Sequence, residues 1–451
     1  MEKIVNLVLL AVLLAAGASY GEPAALEDGY VKSASLQARS NRHQGTATEV
    51  RSSGNAARTL NGRAPRGVPA GQILAAKGKT ERNAAQTTKP AAKAEALAQR
   101  RGYWKSKELN VLAIGMGVGD VTGDGKNDVV VLGPSSVYLY RFEAGMLTLV
   151  TEYGVSPLEC KSVDVAQIRK RGPCRIYVTA QNRGALASFV LEFREGKLVQ
   201  VVRNFAYYLR VIGYPTRGPI LLGQQKGLNK YYEGPIYTVE DKGDELVVGP
   251  RFGVPLKIPI FGFAIGDFEG NRKPMIAVYD REDHLRIYRP SGKRLFISRE
   301  YYGGTDILLR MRGPEEKRAA DAMRFEPEQE FCRPRIMALD LNHNGIYQIL
   351  AITHKSTTRR MFTRTKMLGE GQIKGLRWNG DALEQVWSTP KIDGTIADFA
   401  VASIPGLPGL RLVTLERKKT DWLSFLRSKS LVKAYDLRRL MKEKGRTSGE
   451  E

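Results

Sequence analysis

One short run carries a spacing with chemical meaning: Asp120-Val-Thr-Gly-Asp-Gly-Lys-Asn-Asp128. Side-chain oxygens fall at positions one, three, five and nine of the run, on Asp120, Thr122, Asp124 and Asp128. Gly125 at position six permits a sharp turn, and the backbone carbonyl of Lys126 at position seven can face inward. A hard cation such as Ca²⁺ takes about 6–8 oxygen ligands in a flexible cage, and alternate positions of a turn supply them. Three carboxylates in so small a loop repel one another without a cation. The spacing predicts one structural Ca²⁺ held by Asp120, Thr122, Asp124, Lys126 and Asp128, pinning two strands in register. The alternative is an Asx-rich turn satisfied by its own backbone amides.

Two weaker copies follow. Asp340, Asn342, Asn344, Gly345 and Gln348 repeat the spacing with one formal charge, and Asp267, Glu269 and Asn271 lack both the glycine and the closing carboxylate. A single ion is therefore expected. Other chemistry is sparse. His43, His284, His343 and His354 are scattered without metal-ligand spacing, and no Gly-x-Ser-x-Gly elbow occurs. Gly115-Met-Gly-Val-Gly119 precedes a β-loop rather than a helix, which argues against a phosphate cradle. Asp164, Asp267, Asp340 and Asp398 lie near strand ends. They could converge as acid–base groups in a central funnel, although Asp at a strand end more often caps a turn.

The elements that would position these residues are short strands. From Tyr103 onward, β-branched and aromatic runs alternate with Gly, Asp, Asn and Pro turns. A four-strand unit recurs, clearest where Asp128-Val-Val-Val-Leu132 is followed by Val137-Tyr-Leu-Tyr-Arg-Phe142 and Leu147-Thr-Leu-Val150. Six copies can be traced, and the last, ending at Leu431-Val-Lys-Ala-Tyr435, lacks a fourth strand. Tyr103-Trp-Lys-Ser106 resembles that missing strand. The pattern predicts an all-β propeller of four-stranded blades over 103–437, six in number with seven as the alternative count, closed by an N-terminal strand from residues 103–109. Two charged insertions, 312–330 and 357–368, interrupt the repeats and are candidates for partner contacts or plain solvated excursions.

The flanks differ in character. Ile4 to Ala16 is almost wholly apolar behind Lys3, with small residues after it, which predicts a signal peptide over 1–21. That run is shorter than the ~20 residues of a membrane span, and no transmembrane span is expected in the mature chain. Residues 22–100 hold 13 Lys/Arg against 6 Asp/Glu with few aromatics, the composition of a disordered basic linker. Residues 438–451 read as a disordered charged tail. Export would permit a Cys160–Cys174 disulfide, with Cys332 left as a small buried side chain. The net charge of +23 favours an acidic neighbour, or else only solvates the surface. No nucleic-acid motif accompanies it.

Val118-Gly-Asp-Val-Thr-Gly-Asp-Gly-Lys-Asn-Asp-Val-Val-Val131, Phe263-Ala-Ile-Gly-Asp-Phe268 and Ala338-Leu-Asp-Leu-Asn-His-Asn-Gly345 resemble the FG-GAP or VCBS repeats of integrin-α-like propellers. The resemblance implies Ca²⁺ in inter-strand loops and a role in adhesion, envelope assembly or ligand binding. The expectation is an exported, calcium-stabilised binding scaffold in the periplasm, envelope or extracellular space. Its partner would be an envelope protein or an anionic glycan, with no nucleic acid. The alternative is a propeller enzyme that acts on glycans or other envelope polymers through funnel carboxylates.

Overall fold

A computed structural model describes residues 96, 101–227, 230–311, 330–356, 368–418 and 429–443. The expected signal peptide, the linker up to residue 100 (residue 96 apart), most of both insertions, and the tail beyond residue 443 lie outside these residues.

Each repeat folds as an antiparallel sheet whose strands follow chain order from first to fourth. Blade 1 is Gly115–Gly119, Asp128–Leu132, Ser136–Glu143 and Met146–Gly154; blade 2 is Glu159–Ala166, Arg175–Asn182, Ser188–Arg194 and Lys197–Phe205. Blade 3 is Tyr208–Tyr214, Gly218–Gln225, Glu233–Asp241 and Leu246–Arg251. Blade 4 is Phe263–Gly266, Met275–Tyr279, His284–Tyr288 and Arg294–Tyr301. Blade 5 is Ile336–Leu339, Gln348–Ser356, Leu368–Trp378 and Leu383–Ser388. First strands of neighbouring blades pack against one another, so they line the axis and the fourth strands lie outermost. The count is six.

Second strands sit between the first and third strands and between adjacent blades, which is why each has a run of consecutive apolar residues at its centre. Asp128-Val-Val-Val-Leu132 and Met275-Ile-Ala-Val-Tyr279 are buried at every position. Fourth strands alternate and carry much of the exposed apolar surface, including Leu149, Val199 and Ile297. Close blade contact also explains the glycines of the first inner strand. A Cβ on Gly117 would lie 2.4 Å from Val165 Cγ2 in blade 2, so only glycine lets these two strands approach. The Gly-x-Gly-x-Gly spacing is a packing feature.

Blade 6 comprises Gly394–Ile404, Leu407–Lys418 and Ser430–Asp436, and Tyr103–Lys105 supplies its fourth strand. The register pairs Tyr103 with Tyr435, Trp104 with Ala434 and Lys105 with Lys433. Trp104 also reaches blade 1: its indole N–H donates to the Gly145 carbonyl at 2.9 Å, and its ring meets Phe142 edge-on at 4.9 Å. The closing strand thereby joins the last blade to the first. The chain then turns into a helix over Leu437–Glu443 that buries Leu437 and Leu440. The part of the tail expected to be disordered from residue 438 thus begins as packed helix.

Side-chain clamps tie other blades. Arg175 of blade 2 donates to Asp241 Oδ1 at 2.8 Å and to the Gly243 carbonyl, both of blade 3, while the Tyr177 hydroxyl donates to Asp241 Oδ2 at 2.6 Å. His354 of blade 5 accepts the Ile396 N–H of blade 6 at Nε2, and burial lowers its imidazole pKa to about 4. That histidine is a neutral structural group. The three cysteines are unpaired. Cys160 pairs with Ala180 across the first and second strands of blade 2, whereas Cys174 precedes Arg175 at the other end of that pair. The Cys160–Cys174 disulfide that export would permit is therefore not formed. Cys332 is buried, and burial pushes its thiol up to about 12.

One connection crosses the channel mouth. Between blades 4 and 5, Leu308–Leu309 pairs with Glu330–Phe331. The Arg310 backbone exchanges two hydrogen bonds with the Gln181 side chain of blade 2, at 2.8 and 2.9 Å. Arg310 also pairs with Glu159 at 2.9 Å. Blade 2 lies across the ring from blade 5, so this pair of two-residue strands spans the entrance. The far mouth is narrowed by Tyr347 of blade 5, whose hydroxyl donates to the Pro215 carbonyl of blade 3 at 3.4 Å.

Candidate functional site

Inner strands bring a charged cluster to the axis. Asp164 sits in the middle of the first strand of blade 2, Arg210 in that of blade 3 and Asp398 in that of blade 6; Arg335 immediately precedes that of blade 5. Arg335 donates Nη1 to Asp164 Oδ1 at 2.7 Å and Nε to Asp398 Oδ1 at 2.8 Å. Its Nη2 reaches Asp398 Oδ2 at 3.1 Å and the carbonyls of Val163 and Met116 at 3.1 and 3.2 Å. The second oxygen of Asp164 accepts the Val211 N–H at 2.8 Å and lies 3.3 Å from Arg210. The second oxygen of Asp398 accepts the Met116 N–H at 3.0 Å. Blades 1, 2, 5 and 6 meet at one guanidinium, and blade 3 joins them through Asp164.

Two cations and two anions make the cluster neutral. Burial alone would weaken the charge on Arg335, but the Asp398 and Asp164 carboxylates outweigh it and raise its pKa. Burial and the nearby Arg335 both press the other way on Arg210. Every carboxylate oxygen here already accepts at least one hydrogen bond, and Asp164 is only 3% exposed. A charged network this well paired is costly to break and has little free capacity for proton transfer.

The four expected funnel carboxylates therefore divide. Asp164 and Asp398 converge, while Asp267 and Asp340 lie on loops. Asp267 accepts amides from Glu269, Gly270, Asn271 and Arg272. Asp340 accepts those of Asn344 and Gly345. Both cap turns. Arg335 and Arg210 escaped the sequence reading, although each carried a signal: a lone arginine beside or within an apolar inner-strand run, like the lone aspartate of Val163-Asp-Val165.

The loop over 120–128 joins the first two strands of blade 1. Gly123 and Gly125 take φ of 78° and 79°, the left-handed turn that glycine allows at least cost. Asp120 accepts the amides of Gly123, Asp124 and Gly125, and Asp124 Oδ1 accepts that of Lys126. Asp128 Oδ2 accepts from the Val121 and Thr122 amides and from the Thr122 hydroxyl. Asp128 Oδ1 is different. It is buried and has no hydrogen-bond partner, and burial raises the Asp128 pKa. Arg141 Nε stands 3.9 Å from it and 3.8 Å from Asp124 Oδ2.

An orphaned carboxylate oxygen facing a second carboxylate fits a hard cation in donor type, and Asp124, Asp128 and Thr122 are the residues that would hold it. Arg141, one-third exposed, competes for the same oxygens. Among the described residues no group of three or more His, Cys, Asp and Glu is arranged to hold a metal ion. In blade 5 the closing position is spent, because Gln348 Oε1 accepts the Trp387 indole N–H at 2.8 Å. The orphan belongs to blade 1, the loop with the strongest sequence signal.

No family model matches the chain, and no curated protein does. Solved structures similar to it include BBS1N in its complex with ARL6DN, at 10% identity over 74% of this chain and 97% of that one, TM-score 0.38. A putative oxidoreductase (glucose dehydrogenase) from Thermus thermophilus aligns at 12% identity over 74% and 99%, TM-score 0.38. The Bacillus licheniformis rhamnogalacturonan lyase PL11 aligns at 10% over 74% and 72%, TM-score 0.35. Among the described residues no helix is long and apolar enough to cross a membrane.

Proposed function

We propose that this chain is an exported binding scaffold of the cell envelope, stabilised by one calcium loop, with an envelope protein or an anionic glycan as partner. The observation that carries the scaffold reading is the commitment of both axial carboxylates. Asp164 and Asp398 are locked on Arg335 beneath a strand pair that spans the mouth. A catalytic funnel acting on glycans would need at least one of them free to move a proton. Export rests on the apolar run at Ile4–Ala16, and the acidic partner on the charge of +23. The FG-GAP/VCBS resemblance is part of the same proposal.

Calcium would replace Arg141 as the cation between Asp124 and Asp128, relieving the orphaned oxygen. Thermal unfolding of the full chain with EDTA and with Ca²⁺ tests this. At a concentration ~100 times its dissociation constant, a ligand bound only to the native state stabilises by about 2.7 kcal/mol. The expected result is a midpoint several degrees higher with Ca²⁺, lost in Asp124→Ala and reached at lower Ca²⁺ in Arg141→Gln. A wild-type midpoint indifferent to both additions would assign the cation role to Arg141 and end the calcium reading.

A further inference from the structure

All six blades run the same way from the axis outward, so the turns joining first to second strands emerge at one end of the ring. In blades 2, 3 and 4 these turns span 167–174, 215–217 and 267–274. Lys170, Arg171, Arg217, Arg272 and Lys273 stand exposed on them. The only acids on the same turns are already spent: Asp267 on four backbone amides, Glu269 on Arg289 at 2.8 and 3.0 Å. Arg169 has its own partner in Glu192 at 3.5 Å. Among the described residues, none of the five exposed cations has an acidic side chain in ion-pair contact. Arg217 is held instead over the Tyr214 ring at 5.5 Å. Three consecutive blades thus present a basic arc around one mouth, with Asp244 and Glu245 farther out on the blade 3 rim.

We propose that this arc is the docking face for a hydrated acidic polysaccharide. The proposal rests on the scaffold reading and adds where the polymer lies. Three features favour that ligand. The cations are spread along a curve, which a flexible chain of repeating carboxylates can follow. Exposed neutral polar groups, Gln167, Thr216 and Asn271, are interspersed among them and suit sugar hydroxyls. A shallow cleft of about 480 Å³, lined by Asn271, Lys273, Pro274, Arg289 and Pro290, continues the arc on blade 4.

Other polyanions fit less well. Peripheral membrane binding uses apolar anchors beside its charges. Among the described residues the exposed large apolar side chains, Met146, Leu149, Val199, Val247, Leu256, Ile297, Tyr301 and Leu410, all lie off these turns. Single-stranded nucleic acid wants exposed aromatic platforms. The aromatic side chain on the three turns is Phe268, and it is buried.

The test uses the full chain and polygalacturonate as the probe, with phosphatidylglycerol vesicles and DNA in parallel. Two charge reversals sit on the arc, Lys170→Glu/Arg171→Glu and Arg272→Glu/Lys273→Glu. A third pair, Lys107→Glu/Lys391→Glu, makes the same change in net charge at the other end of the ring. The expected result is at least a ten-fold loss of polygalacturonate binding in each arc variant and less than two-fold in the third. Wild-type affinity should fall steeply with salt, as counterion release requires. Equal losses in all three variants, or none in any, with wild type binding normally, would place the polymer elsewhere, the basic linker included. That outcome overturns the arc and spares the scaffold. Binding of vesicles or DNA without polygalacturonate would overturn the choice of ligand. A wild type that binds no acidic polymer would overturn the arc and the glycan limb of the proposed function together.

Discussion

Replacing Arg335 with methionine is expected to cost about 3–5 kcal/mol of stability, the usual penalty for removing one partner of a buried ion pair. The substitution leaves Asp164 and Asp398 buried against Arg210 alone, two negative charges facing one positive charge. It also frees the Val163 and Met116 carbonyls, so four blades lose their common contact. A second change separates charge balance from shape. Arg335→Met with Asp398→Asn restores neutrality, with Arg210 and Asp164 left as a pair, and should recover about half of the loss. Urea unfolding midpoints measure both. A single variant as stable as wild type would mean that the guanidinium does not lock the axis.

Trp104→Ala should destabilise by a similar amount, about 3–5 kcal/mol, because a large buried aromatic leaves a cavity that its neighbours fill poorly. Trp104 is 6% exposed, meets the Phe142 ring, and donates to Gly145 across the joint of blades 6 and 1. Deleting residues 1–106 goes further. It uncovers the edge of Ser430–Asp436, and an open strand edge invites pairing with another chain. Sedimentation should then find dimers or larger species where the full chain is smaller, and the unfolding midpoint should drop. A truncated protein with unchanged size and midpoint would show that the ring closes without its N-terminal strand.

The blades were legible in the sequence because their physics is local. A strand buried on both faces is mostly apolar, and Val129-Val-Val-Leu132 cannot hide that. Closure was legible too, since the sixth repeat ends one strand short and Tyr103-Trp-Lys has the composition to supply it. The Asp120 loop declared itself through spacing along nine consecutive residues. The axial cluster did not, because Arg335 lies 171 residues from Asp164 and 63 from Asp398. Only ring closure brings them together, and each alone resembles a turn cap or a stray surface charge. Asp267 and Asp340 looked equivalent to the other two for that reason. What separates them is whether the carboxylate finds backbone amides one turn away or an arginine across the channel. The strand pair over the mouth was hidden in the same way, its contact with Gln181 spanning 129 residues.

Incubating the full chain with polygalacturonate, with retention and polymer length measured in the same samples, separates a binding scaffold from a polymer-cleaving enzyme. The expected result is salt-sensitive retention with polymer length unchanged over many hours. Asp164→Asn and Asp398→Asn should retain polymer as wild type does, provided they remain folded. Shortening of the polymer by wild type that disappears in either variant would overturn the scaffold reading and make the axial carboxylates a reaction centre.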